Sequence, residues 1–292
     1  MAEYNPVVRV EGAWELARDL MVIPNRGVEL VPNIGVIGGS EAVLVVETGM
    51  GPRNAEAVLK FAVESARGRR LYLTTTHFHP EHSFGAQTFA GQATFLINRA
   101  QADELAAKGP SYLEMFRGLD EGIARELTGV ELTTPDLVYD SYDLDLGGRV
   151  VQLRPTGRAH SRGDQVVTVP DAGVMFTGDL VETGQFAIFP WFPPYDTDVS
   201  GLRWIEVMDR LAAERPRVVV PGHGDVGGPD LLTDVGDYLR LLRDETWVRR
   251  DSAVSEETII EEVKALLVER YPRWSGKEWI DKGVGCLCAE RG

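Results

Sequence analysis

Short apolar runs, many of them rich in Val, Ile and Leu, recur along the chain and alternate with amphipathic stretches. Apolar runs bounded by Gly, Pro, Asn or Asp are typical of buried strands, and apolar positions three and four residues apart are typical of helices. On this basis we predict strands at residues 28–37, 42–47, 71–75, 93–97, 136–138, 143–146, 150–153, 165–169, 174–177 and 218–220.

Helices are predicted between these strands and after the last one. Gly109 and Pro110 interrupt one helical stretch, so two helices are expected there instead of one. Asp198 is expected to cap the helix that begins a few residues later. The predicted helices span residues 54–66, 99–108, 111–127, 201–213, 231–247 and 256–271.

The order of these elements indicates the fold class. Two runs of strands, each closed by a helix, predict an α/β fold in which two mixed sheets pack against each other between helical layers. A chain of 292 residues is near the upper limit for one domain. We therefore expect one main domain.

Three histidines and a carboxylate directly follow the predicted strand at 71–75. They are His77, His79, Glu81 and His82. Imidazole and carboxylate suit a divalent ion such as zinc. Alternate spacing in an extended loop points His77 and His79 the same way, so both can reach one ion.

The remaining ligand-type residues also follow predicted strands. His160 and His223 occur in Gly-rich loops after the strands at 150–153 and 218–220, and Asp179 occurs at a glycine turn after 174–177. A lone histidine is more often a buried core residue than a ligand. Because all five histidines of the chain stand at such strand ends, a metal site is the better interpretation.

These motifs resemble those of the metallo-β-lactamase-fold hydrolases, a family that includes glyoxalase II and lactonases. The family pattern is His-x-His-x-Asp-His, then a histidine in a Gly-rich loop, then Gly-Asp and Gly-His. The resemblance covers about residues 20–228. It implies an αββα sandwich over residues 1–228 with metals at one edge, and we expect the helices of residues 229–292 to pack on the same domain.

The resemblance also implies the ligands of two Zn²⁺ ions per chain, with Fe or Mn as alternatives. One ion would be held by His77, His79 and His160, the other by Glu81, His82 and His223, with Asp179 bridging them. The implied chemistry is hydrolysis by a bridging hydroxide, with Glu81 or Asp179 as catalytic proton acceptor.

Glu81 departs from the family pattern, which has Asp at this position. The side chain is one methylene longer. It could still bind the second metal, shift or weaken that metal, or act as a base without binding it. The number of metal ions therefore stays open at this point.

An aromatic and proline-rich segment follows Asp179. Either its rings form an apolar wall beside the site or they plug the core beneath the next helix. Arg158 and Arg162 flank His160, where they could attract an anionic substrate group or remain solvated loop charges. The candidate aromatic substrate residues are Phe186, Phe189, Trp191, Phe192 and Tyr195.

Charge and composition limit the classes of molecule that we expect this protein to bind. A net charge of −15 repels polyanions, so we expect a small-molecule substrate and no nucleic acid. The first residues lack the pattern of a secretory signal, and no apolar run is long enough for a membrane span, so we expect a cytoplasmic protein without a membrane partner. Cys286 and Cys288 are expected to be free thiols. A homodimer is possible.

Several functions fit these residues. Cleavage of an ester, lactone or thioester with an apolar or aromatic part is favoured. A persulfide dioxygenase-like enzyme with a single iron is the main alternative, because the change at Glu81 permits occupancy by one metal. A nuclease or phosphodiesterase is disfavoured by the acidic charge. An inactive binding protein is disfavoured because every ligand type is present.

Overall fold

Two mixed β-sheets lie face to face in the computed structural model, which describes residues 4–291. Within these residues the first sheet has seven strands in chain order, antiparallel from β1 to β4 and parallel from β4 to β7. They are β1 (Trp14–Ala17), β2 (Leu20–Ile23), β3 (Ile34–Gly38), β4 (Ala42–Val46), β5 (Arg70–Thr74), β6 (Ala93–Asn98) and β7 (Leu137–Tyr139).

The second sheet has five strands in the described part of the chain, ordered β12-β11-β10-β9-β8. All neighbouring pairs are antiparallel except β11 and β12, which run parallel. The strands are β8 (Tyr142–Asp145), β9 (Val150–Pro155), β10 (Gln165–Val169), β11 (Val174–Glu182) and β12 (Val218–His223).

Helices cover the outer face of each sheet. Side chains of β4 such as Leu44 and Val46 pack toward Val151 and Phe176 of the second sheet, whereas α1 and α3 cover the outside of the first. The predicted αββα fold is confirmed. The helices are α1 (Gly51–Ala66), α2 (Pro80–Ser83), α3 (Arg99–Arg117), α4 (Glu121–Glu126), α5 (Gly201–Ala213), α6 (Asp230–Asp251), α7 (Glu256–Arg270) and α8 (Glu278–Arg291).

The C-terminal helices pack outside the second sheet. Leu242 of α6, Val263 of α7 and Leu287 of α8 belong to the same apolar cluster as Trp204 of α5 and Val181 of β11. Burial of these side chains stabilises the helices against the main sandwich. Among the described residues, none of the helices combines the length and the hydropathy needed to cross a bilayer.

Three predictions about single elements were wrong. Helix α3 continues through Gly109 and Pro110, and Gly109 is buried within it. The cap of α5 is Ser200, whose Oγ accepts from the backbone N–H of Arg203. Residues 28–33 belong to no strand, with a turn at Glu29 and Leu30, so β3 begins only at Ile34. The hairpin of β1 and β2 and helix α8 were not predicted.

Candidate metal centre

All seven predicted ligands come together at one edge of the sandwich in two neighbouring groups. In each group, one nitrogen or oxygen atom per residue lies within 4.8 Å of the corresponding atoms of the others, and every side chain is buried. The first group is His77, His79 and His160, and the second is Glu81, His82, Asp179 and His223.

Strand ends and one short helix deliver these residues. His77 follows β5, and His79 is the N-cap of α2, whose single turn carries Glu81 and His82. Pro80 stands at the first position of α2, where its fixed φ suits a helix start. Three histidines and one carboxylate therefore lie close together between residues 77 and 82.

A glycine lets β11 pass close to the loop that carries His77. Gly178 has φ +54°, and a Cβ atom there would lie 2.2 Å from Thr76 Oγ1. Any larger residue would push the strand away from the loop. Asp179 is therefore held next to the histidines by a close backbone approach.

The nitrogens of the first group are spaced for one metal ion. His79 Nδ1 lies 3.0 Å from His77 Nε2 and 3.1 Å from His160 Nε2. Bonds of about 2.0–2.1 Å to a tetrahedral ion place ligand atoms roughly 3.3 Å apart. The three imidazoles thus have the chemistry and nearly the spacing that a zinc-type ion requires.

The outer nitrogens of three histidines have hydrogen-bond partners. Nδ1 of His160 donates to the Ile188 carbonyl at 2.9 Å, and Nδ1 of His223 donates to the Val31 carbonyl at 3.0 Å. His77 Nδ1 lies 3.1 Å from the Thr76 hydroxyl. Because a carbonyl only accepts, the proton sits on Nδ1 of His160 and His223, and Nε2 is left free for a metal.

Asp179 faces both groups. Its Oδ1 lies 3.3 Å from His82 Nε2 and 3.5 Å from His223 Nε2. Its Oδ2 lies 3.9 Å from Nε2 of both His77 and His160. The carboxylate therefore occupies the position of a group shared between two ligand sets.

Burial and neighbouring charges shift the pKa values of these groups. Burial lowers the pKa of the first group's imidazoles and of His223, which favours the neutral form that binds metals. For His82, burial also opposes the charge, but Asp179 and Glu47 outweigh it and raise the pKa. Burial disfavours ionised Asp179, yet His82 and His223 hold its pKa well below the ordinary value.

Glu81 is ionised less readily than Asp179. Burial raises its pKa to about 7, partly offset by His82. Within residues 4–291, hydrogen-bond partners are lacking for Glu81 Oε2, both oxygens of Asp179 and His223 Nε2. Buried polar atoms without partners are costly, and a divalent cation between them would satisfy all of these atoms. The donor set therefore fits divalent metal ions.

Two further carboxylates touch this site and were not predicted as site residues. Glu47, at the end of β4, has Oε1 3.4 Å from His82 Nδ1 and accepts from the Thr76 N–H at 3.2 Å. Glu182 accepts from the N–H of Ile188 at 2.9 Å, and the carbonyl of Ile188 accepts from His160. Each orients a ligand. Glu47 has a sequence signal, because it ends the predicted strand 42–47, whereas Glu182 lies beyond the predicted strand 174–177 and has no such signal.

The aromatic segment is divided between core and surface. Phe186 and Phe189 are 0% exposed, and their ring centroids lie 5.4 Å from Trp274 and 5.2 Å from Trp204. These two rings plug the core and do not form an open wall, which corrects their prediction as substrate residues. Trp191 and Phe192 are half-buried, and Tyr195 is 90% exposed.

The two arginines beside His160 differ in role. Arg158 donates to the backbone carbonyls of Thr197, Asp198 and Val199 at 2.6–3.0 Å, so most of its guanidinium is engaged in holding that segment. Arg162 has an exposed side chain. The contacts of Arg158 direct its side chain to this segment and not to the metal ligands.

The fold and the two ligand groups define a metal-dependent hydrolase. Residues 27–223 match the model of the Metallo-beta-lactamase superfamily, and the chain belongs to that superfamily. It is similar to "Acyl-coenzyme A thioesterase MBLAC2" of Homo sapiens and of Bos taurus. Each is 30% identical over 221 residues, covering 68% of this chain and 75% of the relative.

A solved structure has the same fold. A metallo-beta-lactamase from Pontibacter korlensis superposes with a TM-score of 0.63 at 18% identity, covering 78% of this chain and 98% of the other. At this identity the likeness establishes the fold alone. The predicted fold family and the predicted class of enzyme are both confirmed.

Proposed function

We propose that this protein hydrolyses thioesters of the acyl-coenzyme A class at a site with two zinc ions. The observation that carries the proposal is Asp179, buried between two adjacent ligand groups that both fit a divalent ion. The 30% identity to an acyl-coenzyme A thioesterase supports the choice of a thioester over an ester or lactone.

The two ligand groups define which residues would hold the metals. His77, His79 and His160 would hold one ion, and the second group would hold the other, with Asp179 facing both. Ions bound there would acidify water and polarise the acyl oxygen of the substrate. The buried ring of imidazoles around them would exclude bulk water from the reaction.

The carboxylates supply the proton chemistry. A carboxylate that binds a metal through one oxygen keeps its other oxygen as a proton acceptor, and Glu81 would take the proton that an attacking water loses in this way. Asp179 stays ionised because His82 and His223 stabilise its charge. A thiolate is a weakly basic leaving group, so cleavage of a thioester makes little demand on a general acid.

Access to the site is one-sided. His79, Glu81 and His223 are 4–6% exposed, whereas His82 and His160 are 0% exposed. The acyl group would therefore approach from the side of the first three residues. The net charge of −15 opposes binding of a nucleic-acid backbone. We propose a small-molecule substrate, no membrane partner and a location in the cytoplasm.

Elemental analysis of protein purified without added metal or chelator, followed by an assay of thiol release from acyl-coenzyme A, tests the proposal. We expect about two zinc ions per chain and release of free thiol that His79→Ala abolishes. Val248→Ala, on the exposed side of α6, is the control and should retain activity. One iron per chain, or no thiol release from metal-loaded protein, would reject the proposal.

A further inference from the structure

One face of α3 points at the first ligand group. Glu104, Lys108 and Tyr112 are spaced four residues apart, so they lie in a row along one side of the helix. All three contact loops or rings that belong to the metal centre. The inference below rests on the metal-dependent function proposed above.

Tyr112 lies flat against a metal ligand. Its ring and that of His79 have centroids 5.2 Å apart and planes only 17° apart. Phe78 packs edge-on against the same tyrosine at 5.0 Å. A ring stacked on an imidazole blocks its rotation, so Tyr112 limits the directions in which His79 can point.

The tyrosine is itself fixed. Tyr112 is 6% exposed, and its hydroxyl donates to Asp196 Oδ2 at 2.6 Å. Lys108 Nζ lies 2.9 Å from Asp196 Oδ1, 3.0 Å from Glu104 Oε1 and 2.8 Å from Asp198 Oδ2. The lysine thereby joins three carboxylates that would otherwise repel one another.

The same helix face holds the loop of a second ligand. Glu104 is buried and accepts from the backbone N–H of Gly163 at 2.7 Å, three residues after His160. Asn98 donates to the Gly163 carbonyl at 2.8 Å. A Cβ atom on Gly163 would lie 2.5 Å from the backbone of Gln101, so this loop sits directly on the helix.

We propose that Tyr112 is a positioning residue for His79, and that Lys108 and Glu104 link it to the His160 loop so that two ligands of one metal keep a fixed relation. The ligands come from separate loops, and α3 is the element that contacts both. A preformed group of imidazoles binds a metal ion more tightly than one that must be ordered by the metal.

Affinity for Co²⁺ alone, measured by competition with a chromophoric chelator, tests this without any substrate. Tyr112→Leu removes the flat ring and is expected to weaken one Co²⁺ site, that of the first ligand group, about tenfold and to change its visible absorption spectrum. Tyr112→Phe keeps the ring and loses only the hydroxyl. It should weaken binding by about two- to threefold and leave the spectrum unchanged.

Leu105→Ala is the matched control, because Leu105 is a buried residue of the same helix whose side chain packs in the core of the first sheet. It should lower the urea midpoint of unfolding and leave Co²⁺ affinity within twofold of the wild type. Affinity of Tyr112→Leu within twofold of the wild type would overturn the inference, and so would an equal loss in Leu105→Ala. Failure to cleave thioesters with Co²⁺ bound would reject only the proposed function.

Discussion

A Cβ atom on Gly222 would lie 1.9 Å from Oδ1 of Asp179. Gly222 stands next to His223 at the end of β12, which pairs with β11, the strand of Asp179. The same Cβ atom would lie 2.9 Å from the backbone nitrogen of Asp179, so the neighbouring strand could not yield by a side-chain movement alone. Glycine at this position is what lets the carboxylate lie between the histidines.

We therefore expect Gly222→Ala to displace Asp179 and to reduce kcat/KM for thioester hydrolysis by about a hundredfold, since displacements near 1 Å have effects of that size. Metal content per chain should fall as well. Gly228→Ala is the control in the loop that follows β12, because a Cβ atom on Gly228 would have no described atom within 4 Å. Wild-type activity in Gly222→Ala would mean that Asp179 does not act from this position.

The fold and the ligand groups could be predicted because their signals are local. Each ligand-type residue follows an apolar run within a few positions, and the motifs preserve the order of a known family. The contacts that hold these ligands are not local. Tyr112 reaches Asp196 across 84 positions, and no periodicity in the sequence specifies that pairing.

The wrong predictions also arise from contacts between residues that are far apart in the sequence. Gly109 and Pro110 are helix breakers by propensity, yet α3 continues through both and buries Gly109 close to Leu132. The aromatic segment contains more rings than a loop normally buries. The C-terminal helices, which lie outside the motif pattern, supply the apolar surface that covers Phe186 and Phe189.

Glu81 can be tested as a ligand by two conservative changes. Glu81→Gln keeps the shape and removes the charge, so we expect the second metal to be lost and kcat/KM to fall by about tenfold or more. Glu81→Asp restores the residue typical of the family and should keep both metals. Elemental analysis measures the number of metal ions per chain in each variant. Two ions per chain in Glu81→Gln would show that the charge of Glu81 is not needed to hold the second metal.

Within the aromatic segment, the buried rings should contribute to stability and the exposed ring should not. Phe189→Ala is expected to reduce the free energy of unfolding by about 3–5 kcal/mol, because it leaves a cavity beside Trp204. Tyr195→Ala should change it by less than about 0.5 kcal/mol, since that ring is 90% exposed. Urea unfolding measures both. A variant at Phe189 with normal stability and a raised KM would instead place this ring against the substrate.

The cysteines should be unreactive in the folded protein. Cys286 and Cys288 are buried and unpaired in the described chain, and burial, with a further contribution from Glu290, raises the pKa of Cys286 to about 12. Burial raises the pKa of Cys288 as well. An acid with a raised pKa stays protonated over a wider range, so thiolate, the reactive form, is scarce at pH 8 and still minor for Cys286 at pH 10.

We expect less than about a tenth of a thiol per chain to react with a disulfide reagent in native protein at pH 8, and two per chain to react in urea. Cys286→Ser should lower the number of thiols that react in urea from two to one per chain. This result matters for the thiol-release assay, because thiols of the enzyme that reacted with the reagent would add to the signal from the substrate. Rapid labelling of native protein would contradict the expectation and would show that α8, which carries both cysteines, opens from the core.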